Sequence, residues 1–188
     1  KSEFVRPHYK YILGLGRLTK QKNFSMLIKA FSLIDNSNGL KLIIIGNGEE
    51  KSKLKKIVNK VKINSEVLFL GNLEDPLGYL ENAEFLVIPS LWEGLPRVAI
   101  EAQALKTPII SACEEGGLSE ILMNGEAGII TKNNDVNEMK NSIEKYLQNP
   151  KMALGHSESG FNNIARFALE TSAKEYLTKF ANYFEEDV

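Results

Sequence analysis

A chain of 188 residues with 43% hydrophobic content can bury roughly 70% of its unfolded surface, which suits one complete core and excludes two large ones. Its 23 Lys and Arg against 24 Asp and Glu leave a net charge of −1, so there is no field for nucleic acid or an acidic membrane surface, and any phosphate site must be local. One cysteine, Cys113, excludes an internal disulfide and a cysteine-based metal site; no apolar run nears the roughly 18 residues of a membrane span, and the cytoplasm is the expected compartment.

The first ten residues, KSEFVRPHYK, have no clear place, and their start without Met suggests a chain that begins inside a longer protein. A short apolar run at 11–16 (YILGLG) predicts the first strand, and Phe24, Leu27, Ile28, Phe31 and Ile34 then share one helical stripe. Strand 41–46 (KLIIIG) precedes a second stripe of Leu54, Ile57, Val58 and Val61. Strand 67–71, a short helix over 76–82, strand 84–90 and a helix over 96–105 follow, with Pro96 suited to a first helical position. Strand 108–112, which should bury Cys113 at its end, a helix over 117–123 and strand 127–131 complete the alternation. Beyond residue 134 only helical patterns remain, at 135–148, 151–166 and 170–184, with Pro150 marking a break. The whole predicts an α/β domain: a doubly wound, mostly parallel, six-stranded Rossmann-like sheet over 11–188 with a C-terminal helical tail.

Open parallel sheets bind ligands beyond the carboxyl ends of their strands. There the sequence places 14-GLGRLTKQK-22, 46-GNG-48, 71-GN-72, 89-PSLWEG-94 and 113-CEEGG-117. One glycine turn needs no function, since tight βα turns use glycine anyway; five of them with Arg17 and Lys22 at the rim point to a phosphate-bearing ligand. Both GLGRLT and GNGEEK lack the third glycine of a dinucleotide fingerprint, and no P-loop is present. No D-x-D pair could hold a divalent cation, so no metal is expected and Arg17 and Lys22 stand in its place. Alone, Lys22 would read as a solvated lysine beside Lys20 and Lys29.

The stretch 92-WEGLPRVAIEAQAL-105 carries two acids. Pro96 at the helix start leaves Glu93 in the loop and sets Glu101 about 7–8 Å further along the axis. Each acid alone reads as an ordinary surface carboxylate. Together they can grip hydroxyls on two separate rings, while the helix start between them offers N–H groups and a positive dipole end to a diphosphate. That pattern describes a nucleotide sugar: sugar at Glu93, diphosphate at the helix start with Arg17 and Lys22, ribose at Glu101.

The segments 16-GRLTKQKNF-24, 43-IIIGNG-48, 67-VLFLGNL-73, 85-FLVIPSLWEGLPRVAIEA-102 and 116-GGLSEIL-122 resemble, in order, the donor-binding half of a retaining GT-B glycosyltransferase of family 4, also called group 1. The E-x7-E signature matches Glu93 and Glu101, and the G-R-L…K motif matches Gly16, Arg17 and Lys22. The resemblance implies that Glu93 contacts the transferred sugar, Glu101 the ribose, and Arg17 and Lys22 the leaving diphosphate. It implies further that Gly71, Asn72 and Leu73 hold the base, that Gly46, Gly94, Leu95 and Pro96 line the site, that the turn 114–117 borders sugar and diphosphate, and that Glu120 is structural. No cofactor or metal is implied. The expected partners are a nucleoside-diphosphate sugar, with GDP-mannose tried first and UDP-sugars next, a glycan or glycolipid acceptor of lipopolysaccharide core or capsule synthesis, and no nucleic acid. Such enzymes have a second, N-terminal acceptor domain, expected to be missing here, with residues 1–10 as a remnant of the interdomain linker. Any attachment to the inner face of the membrane is expected of that other domain. His8 and His156 match no catalytic position and should be solvated, and Trp92 should pack under its loop. Three other classes share parts of the pattern: a nicotinamide oxidoreductase, disfavoured by the missing glycine; a phosphorylase or epimerase of similar build; and a nucleotide-binding module without turnover.

Overall fold

The computed structural model describes residues 4–132 and 134–185. Residues 1–3 and 186–188, the outer ends of the expected linker and tail, lie outside the described residues, as does Asn133. Strands β1 (Tyr11–Leu15), β2 (Lys41–Ile45), β3 (Val67–Gly71), β4 (Leu86–Ile88), β5 (Ile109–Ser111) and β6 (Ile129–Ile130) alternate with α1 (Phe24–Phe31), α2 (Lys51–Val61), α3 (Leu77–Glu81), α4 (Arg97–Ala104) and α5 (Gly117–Ile121). Helices α6 (Val136–Gln148), α7 (Pro150–Asn163) and α8 (Leu169–Glu185) follow. The six strands make one sheet in the order β3-β2-β1-β4-β5-β6, and every pairing is parallel. This is the doubly wound architecture that the alternating pattern predicts.

Successive strand side chains point to opposite faces, so continuous apolar runs feed two cores at once. Ile12, Leu42, Ile44 and Val87 join Leu27 and Phe31 of α1, Leu54 of α2 and Ile143 of α6. On the other face Leu13, Ile43, Ile45 and Leu86 join Leu80 of α3, Ala99 and Ala102 of α4, and Leu118 of α5. Each Leu, Ile, Val or Phe among them contributes roughly 1.5–3 kcal/mol on full burial, which is why the strands could be read from their apolar runs. Cys113 is buried at the end of this second core.

The element ends differ from the predicted ones for local reasons. The expected strand 84–90 is regular only over Leu86–Ile88, since Pro89 has no N–H to extend the ladder. The first helix ends at Phe31, where the Ser32 N–H closes on the carbonyls of Ile28 and Ala30. Pro150 opens α7, whose first turn is capped by the Asn149 side chain accepting from the Met152 N–H. The N-terminal segment finds a place after all: the Phe4 ring lies edge-on to Tyr79 of α3, with centroids 4.9 Å apart.

The sheet reverses its direction of growth between β1 and β4. There the Leu13 N–H donates to the Phe85 carbonyl (3.0 Å) and the Glu84 N–H to the Tyr11 carbonyl (2.9 Å). At such a switch point the helices that follow the two strands pack on opposite faces of the sheet, α1 on one and α4 on the other, and a crevice opens at the carboxyl edge. At the far end of the chain, α8 leaves Leu169, Tyr176, Leu177 and Phe180 exposed.

Candidate functional site

The loops after β1 and β4 meet above this switch point. Gln21 joins them twice: its carbonyl accepts from the Leu91 N–H (2.9 Å), and its Nε2 donates to the Trp92 carbonyl (2.9 Å). The next residue, Lys22, places Nζ 2.5 Å from Oε1 of Glu93. The Ser90 hydroxyl donates to that same oxygen at 2.6 Å. Exposure is 19% for the Lys22 side chain and 7% for that of Glu93, so this is a largely dehydrated ion pair completed by a charge-assisted hydrogen bond.

Glycines set the spacing on both sides. Gly46 has φ +136°, and a Cβ there would lie 1.9 Å from the Gly16 carbonyl oxygen; only glycine lets the turns after β1 and β2 touch backbone to backbone. The row continues outward, as the Gly16 N–H donates to Ile45 and the Gly46 N–H to Gly71 (3.0 and 2.7 Å). On the other side, a Cβ on Gly117 would stand 2.2 Å from the Gly94 carbonyl oxygen, so the turn 114–117 lies directly on the loop that carries Glu93. A cavity of about 590 Å³ flanks that turn, lined by Glu114, Glu115, Ser119, Glu120 and Arg166 among others, and Glu120 pairs with Arg166 across it.

No side-chain hydrogen bond or ion pair joins the remaining predicted residues to the pair among the described residues. Arg17 is exposed and makes no ion pair with a described residue. Pro96 is buried and precedes the first turn of α4, with Gly94 and Leu95 exposed before it. Glu101 is half-buried on α4, its carboxylate unpaired among the described residues. Asn72 is exposed and Leu73 half-buried beyond β3. The structure thus brings Lys22 to Glu93, which the motif spacing had assigned to different parts of a ligand.

Two expectations fail. Trp92 does not pack under its loop but is 60% exposed, because Ser90 and Glu93 take the loop's inward positions. His156 is not a solvated residue: it is half-buried on α7, with Nδ1 2.9 Å from the Tyr146 hydroxyl, and burial, helped by the charge of Lys145, lowers its pKa. His8 is exposed, as expected. Ser90 and Gln21 escaped the sequence reading. A polar residue closing the otherwise apolar run 85-FLVIPS-90 was the signal that could have marked Ser90. No group of three or more His, Cys, Asp or Glu suited to a metal ion occurs among the described residues, and none of their helices is long and apolar enough to cross a membrane.

Comparison with known proteins gives this arrangement relatives. Residues 1–162 match the family model for glycosyl transferases group 1. The N-acetylgalactosamine-N,N'-diacetylbacillosaminyl-diphospho-undecaprenol 4-alpha-N-acetylgalactosaminyltransferase of Campylobacter jejuni is 30% identical over 168 residues, covering 89% of this chain and 46% of its own. The lipopolysaccharide core biosynthesis mannosyltransferase LpcC of Rhizobium leguminosarum is 26% identical over 87% of this chain and 49% of its own. The chain therefore spans about half the length of these curated relatives. Among solved structures, HepE of Anabaena in complex with UDP superposes with a TM-score of 0.83 at 19% identity, over 93% of this chain and 49% of that one, a likeness of fold.

Proposed function

The chain belongs to the glycosyl transferases group 1 family, and from that premise we propose that it is the donor-binding half of a retaining glycosyltransferase. The observation that carries this reading is the Lys22–Glu93 pair at the carboxyl edge of the sheet, with Arg17 exposed on the same β1–α1 loop as Lys22 and α4 beginning at Arg97, shortly after Glu93. In this reading the diphosphate of a nucleotide sugar lies against the α4 N-terminus within reach of Arg17 and Lys22. The sugar meets Glu93, the ribose hydroxyls meet Glu101, and the base lies by Gly71, Asn72 and Leu73.

The chemistry follows from where charge appears. As the bond between the anomeric carbon and the diphosphate oxygen breaks, its electron pair leaves with the diphosphate. Fixed cations and helix N–H groups are worth most against charge that grows only in the transition state. An acceptor hydroxyl adds on the face the diphosphate leaves and passes its proton to the departing diphosphate oxygen, and the anomeric configuration is kept. Glu93 orients the sugar and favours its partial positive charge; no metal or cofactor is assigned a part. A glycan or glycolipid of lipopolysaccharide core or capsule synthesis is the proposed acceptor, brought by an N-terminal domain of the same protein at the cytoplasmic side of the membrane. A mannosyl donor, for which GDP-mannose is the first candidate, is supported by the Rhizobium mannosyltransferase, and a UDP-sugar by the UDP in the Anabaena structure.

Calorimetric titration with UDP, GDP, UDP-glucose, UDP-N-acetylglucosamine and GDP-mannose, repeated on Glu101→Ala, tests the proposal. Selective binding of one nucleotide series, weakened in the variant, is the expected result. A folded chain that binds none of them would refute it.

A further inference from the structure

Ser90 closes β4's loop junction with a hydroxyl that is fully buried and spends its proton on one atom, Oε1 of Glu93 at 2.6 Å. Lys22 spends its charge on that same oxygen at 2.5 Å. A carboxylate has two oxygens and about four acceptor positions, and here both internal donors converge on one of them, while no described residue donates to Oε2. An ammonium is a compact point charge that tolerates rotation of its partner. The Ser90 hydroxyl, on a one-carbon stem in the loop directly after β4 and fully buried, has far less freedom, so the direction of the carboxylate is set by Ser90.

We propose that Ser90 is a positioning residue that fixes the Glu93 carboxylate so that Oε2 receives a sugar hydroxyl of the donor. The inference rests on the donor-site reading above and sharpens it. Lys22 is shared between Glu93 and the diphosphate, so its hold on the carboxylate weakens as the donor arrives. Among the described residues the Ser90 hydroxyl donates only to Glu93, and it keeps its hold throughout. The consequence is selective: Ser90 matters to the sugar and not to the nucleotide.

Titration calorimetry reads this as a ratio. For the nucleoside diphosphate that the wild-type chain binds, and for its nucleotide sugar, the quotient of the two dissociation constants is measured in wild type, Ser90→Ala and Glu93→Gln. Ser90→Ala should leave the affinity for the nucleoside diphosphate within about twofold and weaken the nucleotide sugar about tenfold, the range for a hydrogen bond to a charged group. Ser90→Cys, which keeps an atom at the γ position but is a poor donor, should show the same selective loss if the alanine variant folds badly. The double variant Ser90→Ala/Glu93→Gln should be no worse than Glu93→Gln alone, because the two residues act in series. Equal weakening of both ligands, an unchanged ratio, or additive losses would overturn the role of Ser90 while leaving the nucleotide site intact. A wild-type chain that binds no nucleoside diphosphate would overturn the donor-site reading itself.

Discussion

Lys22 and Glu93 stand 71 residues apart and meet because β1 and β4 are neighbours. The sequence pairs them otherwise, Lys22 with Arg17 in one motif and Glu93 with Glu101 in another, so the residue types of the site were legible and their partnership was not. Spacing along a chain reports contacts within an element, whereas this contact is made across a sheet. The burial of the pair carries a prediction. Lys22→Met leaves a carboxylate that is 7% exposed with only a hydroxyl for company, and removing one partner of a buried pair costs about 3–5 kcal/mol, reduced here to about 2–3 by the partial exposure of Lys22. Glu93→Gln should cost less, since the released ammonium can turn to water. Urea denaturation of the two variants checks the asymmetry; equal losses would mean that the pair is screened by solvent.

At the scale of elements, the site depends more on loop backbones than on helix stability. Gly117→Ala drives a methyl group to within 2.2 Å of the Gly94 carbonyl oxygen, so the two loops must separate. A loss of about 2 kcal/mol in stability is expected, together with weaker binding of a nucleotide sugar. Asp135→Ala removes a side chain that accepts from the N–H groups of Asn137 and Glu138 at the start of α6. It should cost about 1 kcal/mol and leave ligand binding unchanged. Thermal unfolding beside calorimetry separates the two variants. Between α6 and α7, the His156 ring is held against Tyr146 with a pKa below 6.5. The unfolded chain therefore binds a proton before the folded one does as the pH falls. The stabilising effect of neutral His156 is complete above 6.5 and declines through the window down to its lowered pKa. The melting temperature of wild type should thus fall more than that of His156→Gln between about pH 7.5 and 5; parallel curves would place the titration elsewhere. The sequence hid this contact because both residues lie on helices read separately, on either side of Pro150.

For the whole molecule, the six strands were legible because burial on both faces leaves an unbroken apolar signature, and the parallel order was legible because helices intervene. Trp92 was misread for the opposite reason: a large aromatic side chain favours burial on average, and only the competing claims of Ser90 and Glu93 turn it outward. One global measurement joins fold to function. A ligand at one hundred times its dissociation constant stabilises the native state by about 2.7 kcal/mol, which for a chain of this size raises Tm by about 5 °C or more. Arg17→Ala, at an exposed position free of ion pairs among the described residues, should keep the ligand-free Tm of wild type and lose most of that shift with a nucleoside diphosphate. An unchanged shift would remove Arg17 from the diphosphate site. The strand order has a further consequence, for synthesis. Of the six strands a ribosome releases β1, β2 and β3 before the others, and these are contiguous in the sheet as β3-β2-β1. The edge of β1 then waits, unpaired, until Leu86 emerges to dock beside Leu13. Until that moment Lys22 has no Glu93 to meet, so the crevice is a seam closed late in the birth of the chain, when its second half is laid against the first.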